Sequence, residues 1–298
     1  MEPCINTLRY LFLRGVMRLL AWLPLSLLHK LGRLLGSLFN VLPTKARRVT
    51  AHNLASCYPQ LEERQRQDLV RSSLQHTACS ILEMGKAWLP AVNKTVKLIR
   101  DSEGHEDFMA AIQARKGVIL LAPHLSNWEI FGHYATNGIP ARFMYQPPRS
   151  AAMDRLLKEG RSRGGVIMAP TNRKGVAVLL AALQRGELVG VLPDQVPPDG
   201  SGEFAPFFGE PAYTMTLVSK LARRTGAAVF CGFALRLPGG AGFKAIFKRV
   251  ANGVYSEDMQ ESLRTMNAAI EECVELAPDQ YQWEYKRFRR RPDNSEFY

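Results

Sequence analysis

The chain has 298 residues, of which 46% are hydrophobic, so it can form a sizeable core and wholesale disorder is excluded. Lys and Arg outnumber Asp and Glu by 39 to 27, which gives a formal net charge of +12 at pH 7. Such an excess attracts polyanions such as nucleic acid, anionic lipid headgroups or an acidic carrier protein, and charge alone does not choose among them. The cysteines are scattered with no CxxC pair, which argues against a disulfide framework or a zinc site. We expect buried free thiols in a reducing compartment at Cys4, Cys57, Cys79, Cys231 and Cys273.

Residues 1–43 are apolar but are interrupted by basic side chains. The longest stretch without Lys or Arg, Leu19–His29, has only 11 residues, whereas a bilayer-spanning helix needs roughly 20 apolar residues. No small-residue cleavage site follows, so a cleaved signal peptide fits badly. We expect a basic amphipathic helical appendage, broken near Pro24, that lies on an anionic membrane surface. An amphipathic helix packed on the rest of the protein is the alternative.

Residues 44–298 are expected to form one domain. The basic stretch Pro43–Ala51 is turn-like, and helical patterns follow at Glu62–Trp88 and Glu106–Ala114. Short apolar runs then alternate with helical patterns. The runs are Val118–Ala122, Arg142–Tyr145, Val166–Ala169 and Leu188–Leu192, and the helices are Asn127–Thr136, Ala151–Arg163 and Gly175–Arg185. This alternation predicts an α/β fold with a mixed, largely parallel sheet flanked by helices.

The last third of the chain gives fewer signals. A Pro- and Gly-rich stretch around Pro197–Gly202 suggests a flexible loop, and a helix is expected at Thr214–Arg224. Two apolar runs separated by Pro238-Gly239-Gly240 predict an antiparallel hairpin, and a helix should follow at Ser256–Leu276. The aromatic and basic tail Tyr281–Pro292 could bind RNA, an acidic membrane or an acidic carrier protein, or could be a solvated terminus.

One predicted strand is followed directly by the string Pro123-His124-Leu125-Ser126-Asn127-Trp128-Glu129. In open α/β sheets, ligands bind beyond the carboxyl ends of the strands, which is the place of this string. Ser126 or Asn127 can cap the next helix, which places Glu129 in its first turn. The Glu129 carboxylate is then expected to reach His124, to fix its tautomer and to leave the other ring nitrogen free to remove a proton. This string contains no Ser elbow of the GxSxG type, so direct attack by a substrate hydroxyl is the simpler chemistry.

HLSNWE resembles the His-x4-Asp/Glu motif of glycerolipid acyltransferases, in the form used by the late (lauroyl/myristoyl-type) acyltransferases of lipid A biosynthesis. Further segments resemble that family in order along most of the chain. They are Tyr145-Gln146-Pro147-Pro148, Gly160-Arg161-Ser162-Arg163, Pro193-Asp194-Gln195, Pro206-Phe207-Phe208-Gly209 with Thr214, and Ala277–Trp283 with Arg287-Phe288. The family's Tyr-Arg-Pro arginine is Gln146 here, and Arg149 lies nearby.

The resemblance implies transfer of an acyl group from acyl carrier protein to a hydroxyl of a lipid A precursor at the cytoplasmic face of the inner membrane. His124 would be the general base and Glu129 its orienting partner, and no cofactor and no metal are expected. Substrate-binding roles are expected for Arg149 and Arg161, whose guanidinium groups can hold phosphate. Asp194 could pair with Arg161, accept hydrogen bonds from loop amides, contact acceptor hydroxyls or cap a turn.

Two alternatives stay open from the sequence. The acceptor could be a different lipid, such as a glycerol-phosphate lipid or a mannosylated phosphoinositide, because the chemistry would be the same. A basic nucleic-acid-binding protein would show aromatic residues interleaved with basic ones on an exposed face, and only the tail shows that pattern. We therefore expect no nucleic-acid partner.

Overall fold

The alternating apolar runs form a seven-stranded sheet in the computed structural model, which describes residues 2–298 and, for side chains, residues 6–298. The strands in that range are β1 Ile99–Glu103, β2 Val118–Leu121, β3 Ala141–Tyr145, β4 Ile167–Pro170, β5 Leu188–Val191, β6 Gly202–Phe207, β7 Glu210–Met215, β8 Ala228–Arg236 and β9 Phe243–Arg249. The helices are α1 Glu2–Trp22, α2 Leu25–Val41, α3 Lys45–Cys57, α4 Glu63–Trp88, α5 Val92–Val96, α6 His105–Gln113, α7 Trp128–Ala135, α8 Ala151–Ser162, α9 Arg173–Gln184, α10 Leu217–Thr225 and α11 Met259–Glu275.

The strand order is β1-β9-β8-β2-β5-β3-β4, and every pair is parallel except β8 with β9. The expected largely parallel sheet flanked by helices and the antiparallel hairpin are therefore both confirmed. All four residues of β2 and all four of β5 are buried, as expected of strands covered by helices on both faces of the sheet. β2 lies between β8 and β5, which places the end of β2 at the centre of the sheet's carboxyl edge.

Two segments differ from the sequence-based expectation. The basic stretch expected to be a turn starts α3, where Thr44 is the N-cap and its hydroxyl accepts from the amide of Arg47. The expected loop around Pro197–Gly202 leads into the two-stranded antiparallel sheet β6–β7, which was not predicted, and because β7 extends to Met215 the next helix begins at Leu217 and not at Thr214. β6 and β7 contain Pro206 and Pro211 and lack a clear period-two pattern, which explains the second error.

The N-terminal helices meet at a sharp bend. α1 and α2 are related by 118° at the break that contains Pro24, as predicted. α2 packs closely on α4, because Gly36 leaves room for the α4 backbone: a Cβ at this position would lie 2.3 Å from the Cα of Gln75. Within the described residues, neither helix is by itself long and apolar enough to cross a bilayer, and only the bent pair together meets that length and composition.

The end of the chain is part of the core. Tyr281, Trp283, Arg287 and Phe288 are all at most 4% exposed, and Arg287 donates to the Tyr213 carbonyl at 2.7 Å. A solvated terminus is therefore the wrong description of residues 281–288. Four of the expected thiols, Cys57, Cys79, Cys231 and Cys273, are free and buried; the Cys4 side chain lies outside the described part of the chain.

Candidate active site

The pairing of β2 with β5 brings His124 and Asp194 together. Leu121 is opposite Val191 at the ends of these parallel strands, and the amide of Ala122 continues the ladder by donating to the Val191 carbonyl at 2.9 Å. His124 and Asp194 each follow three residues beyond that pair. Because neighbouring parallel strands end at the same edge, the two loops leave the sheet side by side.

Asp194 bonds to His124 in two ways. Its Oδ1 lies 2.9 Å from Nδ1 of the imidazole, and its Oδ2 accepts from the backbone amide of His124 at 2.8 Å. Burial by itself would raise the pKa of Asp194, but the charge and the hydrogen bonds of His124 hold it below its usual value. An ionised carboxylate on Nδ1 fixes the tautomer in which Nε2 carries the lone pair. The acceptance of a loop amide by Asp194, one of the expected alternatives, is thus observed, whereas its pairing with Arg161 is not.

The Nε2 atom of His124 faces polar groups of the neighbouring loops. The side-chain nitrogen of Gln195 lies 3.2 Å from Nε2, and the same nitrogen donates to the Gln282 side chain at 3.4 Å. The ring of Trp128 contacts the imidazole edge-on, with ring centroids 4.8 Å apart. The His124 side chain is only 13% exposed. The imidazole is therefore held in a defined orientation and is largely buried.

The expected contact between Glu129 and His124 is wrong. Glu129 instead forms a bidentate ion pair with Arg161 of α8, with Nε of Arg161 at 3.0 and 3.2 Å from the two carboxylate oxygens and a further bond from Nη2. Burial opposes ionisation of Glu129, but Arg161 holds its pKa below the usual value, and Glu129 in turn raises the pKa of Arg161.

The geometry of the intervening loop explains this separation. Ser126 adopts a left-handed backbone conformation with φ of 55°, which turns the chain between His124 and α7. Asn127 then caps α7, with its side-chain oxygen accepting from the amide of Ile130 at 2.9 Å. The turn aims His124 along the sheet edge toward β5, whereas Glu129 points from the first turn of α7 toward α8.

A buried charged network supports the loop from below. Glu83 of α4 accepts from Arg236 of β8 at 2.6 and 2.8 Å, from His29 of α2 at 2.7 Å, and from the side chain of Asn127 at 2.9 Å. Burial disfavours the Glu83 carboxylate, but Arg236 and His29 lower its pKa to about 2. Ser80 also donates to the Ser126 carbonyl at 3.0 Å. The network thus ties the N-terminal helices and the sheet to the loop that carries His124.

The closing segment of the chain holds the same loop from the other side. The Ser126 amide donates to the Gln280 carbonyl at 2.7 Å, and the Gln282 amide donates to the His124 carbonyl at 3.0 Å. The side chain of Gln280 accepts from the Arg236 amide at 2.9 Å. The position of His124 is therefore fixed by backbone hydrogen bonds as well as by Asp194.

A cavity of about 770 Å³ opens beside His124, a size typical of small-molecule sites. His124 and Gln195 form part of its wall, and Arg161 lies on the wall with Glu129 behind it. Other parts of the wall are apolar: Met144, Val176, Val191, Leu192, Val196, Met215 and Leu217. The apolar part of the wall is suited to a substrate with a long hydrocarbon portion, and polar and cationic side chains form the remainder.

Of the five predicted site residues, the structure brings four together. His124 bonds to Asp194, Glu129 bonds to Arg161, and Arg161 shares the cavity wall with His124. Arg149 is exposed and does not line this cavity, so its expected substrate contact stays a prediction.

Sequence reasoning missed Gln195, Glu83 and Arg236. Gln195 belongs to the family-like segment Pro193-Asp194-Gln195, which was the signal that could have identified it, but it was given no role. Glu83 and Arg236 lie in a long helix and a core strand, where only the rarity of fully buried charge marks them as unusual.

Comparisons with known proteins identify the family of the chain. The family model described as "Bacterial lipid A biosynthesis acyltransferase" matches residues 3–290. The lipid A biosynthesis lauroyltransferase of Escherichia coli is 28% identical over 280 residues, which cover 94% of this chain and 90% of the relative. The palmitoleoyltransferase of the same organism is 27% identical, over 93% and 90% of the two chains. A lipid A biosynthesis acyltransferase of Haemophilus influenzae is 30% identical, over 94% and 87%. The chain therefore belongs to the bacterial lipid A biosynthesis acyltransferase family.

Proposed function

We propose that the protein carries out a secondary acylation of lipid A: it transfers a fatty acyl chain from the thioester of acyl carrier protein to a hydroxyl of a lipid A precursor, with His124 as general base. The observation that carries this proposal is the His124–Asp194 pair at the wall of a cavity that has a substantial apolar part. Family membership supports acyl transfer in lipid A biosynthesis.

In this mechanism Nε2 of His124 removes the proton of the acceptor hydroxyl as its oxygen attacks the thioester carbonyl. Asp194 stabilises the imidazolium that forms, as a carboxylate does in a hydrolase triad. Collapse of the tetrahedral intermediate breaks the C–S bond, and the imidazolium returns the proton to the leaving thiolate. An ester and a free thiol result, so no cofactor is needed for balance.

The developing oxyanion needs hydrogen-bond donors beside the reacting carbonyl. We assign Gln195, because its side-chain nitrogen already lies 3.2 Å from Nε2 of His124, and Arg161, because it lines the same cavity. Glu129 acts in this account through Arg161: it holds the guanidinium in place with a bidentate ion pair. Glu129 is thus a positioning residue and not the partner of the imidazole.

The N-terminal helices provide a surface for the membrane in which a lipid acceptor is dissolved. Twelve of the sixteen large apolar side chains that are exposed within the described part of the chain lie between Leu8 and Leu42, and Phe12 and Trp22 are 70% and 88% exposed. Exposed cations lie on the same two helices at Arg9, Arg18, Lys30 and Arg33. Apolar groups flanked by cations match an anionic bilayer interface, so the proposal places the enzyme at the cytoplasmic face of the inner membrane.

The proposed donor and acceptor can be tested in one panel. Full-length protein in detergent micelles is incubated with an isotopically labelled acyl chain on either acyl carrier protein or coenzyme A. The acceptor is a lipid A precursor, a lysophospholipid or a mannosylated phosphoinositide. The lipids are then analysed by mass spectrometry. The proposal predicts one added labelled acyl chain on the lipid A precursor, with acyl carrier protein as the preferred donor. Equal labelling of the other lipids would refute the acceptor, and equal use of coenzyme A would refute the carrier.

A further inference from the structure

The cavity beside His124 has two cations on its wall that have no partner. Arg173, at the start of α9, and Lys220, on α10, line the cavity and are exposed, and neither side chain makes a hydrogen bond or an ion pair within residues 6–298. By contrast, the third cation on the wall, Arg161, is neutralised by Glu129. The helices that carry the two free cations pack against each other.

The remaining wall supplies no negative charge to balance them. No Asp or Glu side chain lines the cavity among the described residues, and its other polar groups are neutral, including Thr171, Asn172 and Thr216. Two free cations on an acid-free wall create a positive potential inside the cavity. Of the groups that an acyl donor or a glycolipid acceptor carries, a phosphate ester matches this arrangement best, because it offers several charged oxygens to Arg and Lys together.

We propose that Arg173 and Lys220 form a phosphate-binding subsite that anchors one substrate while its reacting group lies at His124. The inference rests on the proposed function, because it assumes that the cavity holds the substrates of acyl transfer. Phosphate is present in two candidate sources: the phosphorylated sugar headgroup of the acceptor and the phosphopantetheine arm of the carrier protein. The sequence had assigned phosphate contacts to Arg149 and Arg161, but Arg149 does not line the cavity and Arg161 is paired with Glu129.

Equilibrium binding tests the subsite without requiring turnover. The dissociation constants of full-length protein in micelles are measured for two matched pairs of ligands: a phosphorylated lipid A precursor with its dephosphorylated form, and phosphopantetheine with pantetheine. We expect wild-type protein to prefer the phosphorylated member of one pair by about tenfold or more. The pair that shows the preference identifies the source of the phosphate.

The variants then assign the preference to the two residues. The double variant Arg173→Gln/Lys220→Gln should bind both members of that pair equally, because the cations and the phosphate contribute as one interaction. The double variant Lys174→Gln/Arg224→Gln is the matched control, since these exposed cations lie on the same helices but do not line the cavity. It should keep the full preference.

Two results would overturn the inference: no phosphate preference in wild-type protein for either pair, or a preference that survives in Arg173→Gln/Lys220→Gln. Failure of the proposed function is a different result. Wild-type protein that binds phosphate through these residues but transfers no acyl chain would refute the catalytic proposal and leave the subsite standing.

Discussion

At the scale of single residues, the imidazole of His124 contacts a carboxylate that lies 70 positions away in sequence. His124 could be predicted because it closely follows a clear apolar strand and begins a motif. Its need for a carboxylate could also be predicted from chemistry. Which carboxylate it contacts could not, because that depends on β5 lying next to β2, and the order of strands in a parallel sheet is not encoded in any local pattern.

The first prediction concerns Asp194→Asn. The amide cannot stabilise an imidazolium and can bond to the wrong tautomer of His124, so kcat should fall by about 10²-fold or more while the fold is kept. Steady-state kinetics with the lipid A precursor measure this change. Asp199→Asn, at an exposed position of the following loop, is the control and should leave kcat unchanged. Equal rates for wild-type protein and Asp194→Asn would rule out this role of Asp194.

The second prediction concerns the ion pair of Glu129 with Arg161. Glu129 is only 5% exposed, so Glu129→Gln leaves a largely buried guanidinium without its counter-charge. The free energy of unfolding should decrease by about 3 kcal/mol. The double variant Glu129→Gln/Arg161→Gln removes both charges and should recover part of that loss. Urea unfolding of the wild-type protein, Glu129→Gln and the double variant measures these free energies. A double variant that loses more stability than Glu129→Gln would show that the two residues do not stabilise each other.

At the scale of secondary-structure elements, most of the central α/β alternation could be predicted from periodicity. The four apolar runs correspond to β2, β3, β4 and β5 with shifts of one residue at their ends. The short strand β1 and the hairpin β6–β7 could not, because exposed or Pro-containing strands lack a clear alternation. The charged network between α2, α4 and β8 could not be predicted either, because no local sequence pattern marks its members as partners.

The third prediction concerns Glu83, which joins these elements. Glu83→Gln leaves Arg236 and His29 buried without their carboxylate, and should lower the free energy of unfolding at pH 7 by about 3–5 kcal/mol. The pKa of Glu83 is about 2 in the folded protein and about 4.3 in the unfolded chain. Because folding lowers this pKa, the stabilisation is complete above about pH 4.3 and is lost as the pH falls toward 2.

Urea unfolding at pH 7, 5, 4 and 3 tests that sign. The difference in stability between wild-type protein and Glu83→Gln should be constant from pH 7 to 5 and should shrink at pH 4 and 3. Asp68→Asn, at an exposed position of the same helix α4, is the control and should show no measurable difference. A difference that grows on acidification would contradict the account of Glu83.

At the scale of the whole molecule, the distribution of exposed apolar side chains separates two surfaces. The N-terminal helices carry most of them, together with exposed cations, whereas the α/β part exposes few. The sequence predicted a basic amphipathic appendage with a break near Pro24, and the 118° bend confirms the break. The packing of α2 onto α4 shows that the helices contact the rest of the protein through one face while the other face stays open.

The fourth prediction is that this open face binds anionic membranes. Phe12→Asp/Trp22→Asp should reduce binding to vesicles that contain anionic lipid by about tenfold or more, because two large apolar side chains no longer enter the interface. Vesicle co-sedimentation measures the effect, and higher salt should weaken binding of the wild-type protein. Ile167→Asp/Leu276→Asp is the control, because these residues are also exposed but lie outside the N-terminal helices. Equal loss in both variants would contradict a membrane role for this face.

The most direct test of the account is the rate of acyl transfer by His124→Ala, measured with labelled acyl carrier protein and a lipid A precursor. The substitution removes the group that accepts the proton of the attacking hydroxyl in the proposed mechanism. His105→Ala, at a partly buried histidine that does not line the cavity, is the control. We predict that His124→Ala keeps the circular dichroism spectrum of the wild-type protein and transfers acyl chains about 10²- to 10⁴-fold more slowly. Transfer at the wild-type rate by folded His124→Ala would contradict the role of His124 as general base.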